Sequence, residues 1–73
     1  MEGIVMSVYK VIELIGTSQV SWEDAAKVAI DQACKTLKDL RVAEVVSQDI
    51  KIEEGKVTAY RTKVRLSFRF HNE

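Results

Sequence analysis

Seventy-three residues make at most one domain, and a chain this short buries too little surface to stand far above its lost entropy. Eleven basic and eleven acidic side chains cancel, which argues against the net basic surface of a dedicated nucleic-acid binder. A single cysteine rules out an internal disulfide, and one Cys with one His cannot fill a zinc site of the usual kind.

Oligomerisation is therefore the expected support for a sequence that is 47% hydrophobic. No stretch has the apolar length of a membrane span. The start, Met1-Glu2-Gly3, is acidic, and the apolar run after it is cut by Lys10 and Glu13, unlike a signal peptide. The expectation is a cytoplasmic protein with neither membrane nor nucleic acid as partner.

In chain order, residues 1 to 6 read as a flexible tail, with Met6 as an alternative start, ahead of one domain over 7–71. Residues 7 to 15, SVYKVIELI, are rich in β-branched and aromatic types and predict a strand. Both of its faces are mostly apolar: Val8, Lys10, Ile12 and Leu14 on one, Tyr9, Val11, Glu13 and Ile15 on the other. One helix can cover only one of them.

Residues 16 to 20, GTSQV, are expected to break the strand and lead to Ser21, a helix N-cap, with Glu23 and Asp24 placed at the positive end of the helix dipole. Trp22, Ala26, Ala29, Ile30, Ala33, Leu37 and Leu40 recur at helical spacing, and the small alanines allow close approach to a sheet. Cys34, beside this stripe, is expected to be a small buried hydrophobe.

From Val42 to Ile52 the pattern changes to period two, and residues 53 to 56, EEGK, supply a hairpin turn with Gly55 at positive φ. The last strand, Val57 to about Phe70, alternates between Thr58, Tyr60, Thr62, Val64, Leu66, Phe68 and Phe70 on one face and Arg61, Lys63, Arg65, Ser67 and Arg69 on the other. The fold class is α+β, a β-α-β-β subunit whose three-stranded antiparallel sheet wraps around one helix. A last strand this long leaves open edges unless another subunit covers them.

The segments Val8 to Leu14, Gly16-Thr17-Ser18, Ser21-Trp22-Glu23-Asp24-Ala25, Lys35-Thr36-Leu37, Glu44-Val45-Val46 and Gly55-Lys56-Val57 together resemble the dodecins. No segment is specific alone; their order and spacing over about residues 7 to 70 are. The resemblance implies a β-α-β-β subunit that closes into a hollow shell of twelve copies. It also implies binding of riboflavin or FMN as a storage function without catalysis.

In that family a tryptophan opening the second strand stacks on the flavin ring, and a glutamine on the third strand bonds to it. The matching positions here are Val42 and Arg61. Valine has no ring to stack, and arginine donates without accepting. Valine there, followed later by Tyr60-Arg61, is similar to the calcium dodecin subgroup, which implies Ca2+ as the other candidate ligand. Calcium takes six to eight oxygens, so Glu13, a carboxylate in an apolar run, needs company such as Asp49 or Gln48 brought to it by assembly. The candidate ligand-binding residues are therefore Val42, Arg61 and Gln48, and the candidate metal ligands Glu13 and Asp49.

The plainer reading of Glu13 is an intersubunit ion pair with an arginine of the last strand. The plainer reading of the Arg61, Lys63, Arg65, Arg69 stripe is a polar face salt-bridged to neighbouring subunits. Its functional reading is a phosphate site for FMN or coenzyme A. His71 is read as solvated and Trp22 as a packing residue. Ser18 and Ser21 have no histidine at a useful spacing, so the expectation is a binding module and not an enzyme.

Overall fold

Ten residues of alternating β-branched and apolar character open the described chain as β1, Tyr9–Ser18. It is followed by α1, Trp22–Cys34, then β2, Leu40–Glu53, and β3, Lys56–Arg69. The structure is a computed structural model and describes residues 8–69. The expected tail, Ser7, Phe70 and His71 lie outside the described residues. The sheet is antiparallel with order β1-β3-β2, so the last strand is central and the first two are its flanks. The β-α-β-β class and the helix-wrapped sheet are as the sequence predicts.

The helix is capped as expected. The Ser21 hydroxyl accepts a hydrogen bond from the Asp24 N–H at 3.0 Å, and Glu23 and Asp24 occupy the first turn. It ends earlier than its apolar stripe suggests: Leu37 lies beyond it and Leu40 begins β2, although both still pack on the core. Its buried ridge is Ala25, Ala29 and Ala33, spaced four apart. These methyl-sized residues let the helix backbone settle onto β1 and β3. There Val64 and Leu66 are fully buried, with Ile12, Leu14, Ala26 and Ile30 around them. Cys34 is exposed, contrary to expectation, because the ridge turns Ala33 inward and leaves its neighbour facing water.

Gly16 does not break β1. It pairs with Thr62 in an unbroken ladder that runs to Ser18 opposite Tyr60. What requires a glycine is the helix: a Cβ at this position would fall onto the Ala25 carbonyl and stand 3.1 Å from the Ala29 Cβ. The hairpin turn is Glu54-Gly55, with φ of 50° and 76°. Two successive positive φ values describe the two-residue turn whose twist matches the flanking strands.

The helix covers one face of β1 and β3 and little of β2. On β1, Ile12 and Leu14 pack inward while Val11 and Ile15 are 50% and 51% exposed on the other face. The two-faced first strand is thus half covered, as its composition implies. On β2, Val45 and Ile50 extend past the reach of the helix and are also exposed. The chain is elongated, 60 × 20 × 15 Å, with a radius of gyration of 15.7 Å. A compact domain of this length has about 11 Å. No helix among the described residues is long and apolar enough to cross a membrane.

Candidate functional site

The face of the sheet turned away from α1, here the outer face, carries the cross-strand ion pairs of Arg61, Lys63 and Arg65. It is assembled by β3, whose alternation places Thr62, Val64 and Leu66 under the helix and Arg61, Lys63 and Arg65 outside. The flanking strands then deliver carboxylates to it. Glu13 of β1 stands opposite Arg65, while on β2 Glu44 stands opposite Arg65 and Asp49 opposite Arg61.

Glu44 and Asp49 are five residues apart and would point to opposite faces of a regular strand. An irregularity in β2 between them changes this, and a second one upstream redirects Val42. Val45 pairs with the buried Val64, yet Ser47 pairs with the outward Lys63, so one extra residue, Val46, shifts the alternation. Leu40 pairs with Phe68 and Val42 with Ser67, so an extra residue at Arg41 turns Val42 to the outer face. Both bulges were invisible to a strict period-two reading.

Two ion-pair groups result. Arg61 donates from Nε to Asp49 Oδ1 at 2.7 Å and from Nη2 to Asp49 Oδ2 at 2.8 Å, a bidentate fork. Arg65 donates from Nη2 and Nε to Glu13 Oε2 at 2.8 and 3.1 Å, and from Nη1 to Glu44 Oε1 at 3.4 Å. Lys63 Nζ stands 3.8 Å from Glu13 Oε1. The hydrogen bond from Arg65 is the main cause holding the Glu13 carboxyl below its ordinary range; desolvation opposes it and the Arg65 and Lys63 charges assist. The Arg61 hydrogen bond does the same for Asp49. Reciprocally, Asp49 and Glu13 raise the two guanidinium groups.

The pairing of Glu13 with a last-strand arginine is as the plainer reading has it, but both partners belong to one chain. Arg61, Lys63 and Arg65 of the stripe are likewise paired with carboxylates of their own subunit. Glu44, the third carboxylate on this face, was missed, because its place opposite Arg65 is set by cross-strand register and not by a local pattern.

The predicted ligand positions are dispersed within one chain. Val42, 56% exposed, and Arg61 share the outer face. Their registers on β3, Ser67 and Arg61, are about 20 Å apart at the usual rise per residue. Gln48 pairs with the buried Thr62 and lies on the opposite face. Glu13 and Asp49 lie on different flanking strands at registers four residues apart, each held by its arginine. Among the described residues no three His, Cys, Asp or Glu side chains gather into a metal-sized cluster. One subunit alone therefore does not fit a calcium ion.

Trp22 packs as predicted and does more. Its indole N–H donates to the Asp49 carbonyl at 2.9 Å, its ring meets Tyr60 edge-on at 5.2 Å, and its own carbonyl accepts from the buried Thr62 hydroxyl at 2.8 Å. It is thus engaged and is not a free stacking surface. A groove of about 480 Å³ lined by Gln19, Val57, Thr58, Ala59 and Tyr60 lies where β3 runs beyond the end of β1, at the far end of β3 from Val42.

Comparison with known proteins supplies the context for this arrangement. The chain is 51% identical over 65 residues to the calcium dodecin of Mycobacterium tuberculosis, covering 88% of this chain and 90% of that protein. The crystal structure of that calcium-chelating protein, which has a calcium-binding site, superposes with a TM-score of 0.80 at 46% identity, over 92% of this chain and 96% of the other. Dodecin of Thermus thermophilus is 39% identical over 62 residues, 85% of this chain and 90% of that protein. Dodecin from Streptomyces coelicolor superposes with a TM-score of 0.88 at 30% identity, over 96% and 100% of the two chains. The family model described as Dodecin matches residues 8–71, and with the β-α-β-β fold in agreement this chain belongs to the dodecin family.

Proposed function

We propose that this chain is a cytoplasmic, non-catalytic module that assembles into a homododecamer and sequesters a small ligand at contacts between subunits. The observation that carries the reading is the second apolar row of β1. Tyr9, Val11 and Ile15 stand half-exposed on the outer face, where no element among the described residues covers them. Val42 adds to this face and Val45 and Ile50 add to the other, leaving apolar surface on both sides of a thin sheet. Burial against copies of the chain removes this surface from water, and small domains need such support.

The test is size-exclusion chromatography with light scattering. The expected particle is about 100 kDa, twelve times the 8.3 kDa chain. A stable monomer refutes the proposal.

Of the two candidate ligands, flavin fits this chain poorly. The row across the outer face at Val42 is Val11, Ser67 and Val42, with no aromatic ring. Calcium is the reading supported by 51% identity to a protein named calcium dodecin. In that reading Glu13 and Asp49 contribute oxygens to a site completed by other subunits, after exchanging their arginine partners. Ca2+ added to EDTA-treated protein is then expected to raise the melting temperature, with no quenching of added riboflavin. Quenching without a calcium shift reverses the assignment. If neither ligand has an effect, the protein is an assembly without a tight ligand of either class.

A further inference from the structure

The Arg61–Asp49 pair differs from an ordinary surface ion pair in how completely it is determined. Both N–H groups of the side-on guanidinium edge, Nε and Nη2, are occupied by the two oxygens of one carboxylate. The backbone of Asp49 is pinned from behind, since its carbonyl accepts the Trp22 indole N–H. Its side chain reaches the outer face only because the Val46 bulge shifts the alternation of β2. Cross-strand register then sets it directly opposite Arg61. An arginine fork presented on a rigid strand is a ready-made receptor for a carboxylate or phosphate. Here the Nε/Nη2 edge of that receptor is filled by the protein itself.

We propose that Asp49 is a specificity-determining residue that keeps the outer face from taking anionic ligands at Arg61, phosphate-bearing ones included. The inference goes beyond the assembly and ligand reading above and concerns the calcium-free protein, in which Asp49 keeps its pair with Arg61. It differs from general charge balance. Glu44 is equally acidic and on the same face, but its arginine keeps a second partner in Glu13. Removing Glu44 adds the same charge but leaves the Nε/Nη2 edge of Arg65 filled by Glu13, whereas removing the Asp49 carboxylate empties that edge of Arg61.

The experiment is a titration of pyrophosphate by calorimetry, in calcium-free buffer of low salt. It compares the wild type, Asp49→Asn, Glu44→Gln and the double variant Asp49→Asn with Arg61→Ala. Asp49→Asn is expected to bind pyrophosphate at least roughly tenfold more tightly than the wild type, a gain that salt weakens. The gain should be absent in Glu44→Gln and lost in the double variant. Because the Asp49 side chain is 54% exposed, its replacement leaves no core cavity, and Asp49→Ser provides a second version of the same test. No gain in either Asp49 variant, with assembly intact, overturns the proposal. An equal gain in Glu44→Gln, or its survival without Arg61, also does so.

Discussion

Replacing Gly16 with alanine tests whether this glycine exists for the chain's turn or for the helix's approach. Gly16 sits in the β1 ladder opposite Thr62. Were it only a flexible or strand-breaking residue, alanine would reduce the entropy of the unfolded chain and stabilise by about 0.4–1 kcal/mol. The structure predicts the opposite sign. The added methyl falls onto the Ala25 carbonyl, a backbone atom of the buried helix ridge, and meets the Ala29 Cβ at 3.1 Å. Neither neighbour is a flexible side-chain tip that can swing away, so the helix must lift from β1 and β3. Overpacking of this kind costs roughly 1–3 kcal/mol, and loosened contacts with Val64 and Leu66 place the variant toward the upper end. In a domain of this size, that lowers the melting temperature by roughly 10 °C or more. The assay is a circular-dichroism melt of both proteins at equal concentration, since assembly makes the midpoint concentration-dependent. A variant that melts at or above the wild type refutes the close-approach reasoning.

Three further outcomes follow from particular residues. Glu54 occupies the left-handed region at φ 50°, so Glu54→Asn, which completes an Asn-Gly turn with Gly55, is expected to stabilise by about 0.5–1 kcal/mol; the same melt checks it. Glu13 and Asp49 have depressed pKa values, so their pairs contribute stability that is complete above the ordinary carboxylate range. That contribution is lost as pH falls from about 4 through the depressed folded values. Stability measured downward from pH 7 should therefore decline less steeply in a Glu13→Gln, Asp49→Asn double variant, and identical pH profiles would contradict the pairing. Val42→Trp adds an indole to the outer face and is expected to create or strengthen riboflavin binding, read as fluorescence quenching. Unchanged quenching in an assembled variant would remove position 42 from the ligand contacts.

Much of the fold was legible from local chemistry. The Ser21 cap, the acidic first turn, the alanine spacing and the alternation from Arg61 to Leu66 each reflect short-range rules that hold within a few residues. The errors came where distant elements meet. Gly16 looked like punctuation because a helix backbone seated against it cannot be seen in a local window. Cys34 looked buried because the sequence marks the stripe's spacing but not which ridge turns inward. The candidate site was less legible: Glu13 was given a last-strand arginine, but the pairing of Asp49 with Arg61 and the part of Glu44 were not foreseen.

By itself, the sequence determined a β-α-β-β chain with more apolar surface than one helix can cover, because periodicity and composition are properties of the chain alone. Only the tertiary structure decided which charges meet. The bulges at Arg41 and Val46 shift side-chain alternation by one residue, and that shift sets Val42 outward, Gln48 inward and Asp49 against Arg61. A register change depends on the cross-strand partner, and the partner is β3, whose central place in the sheet emerges only when all three strands pair.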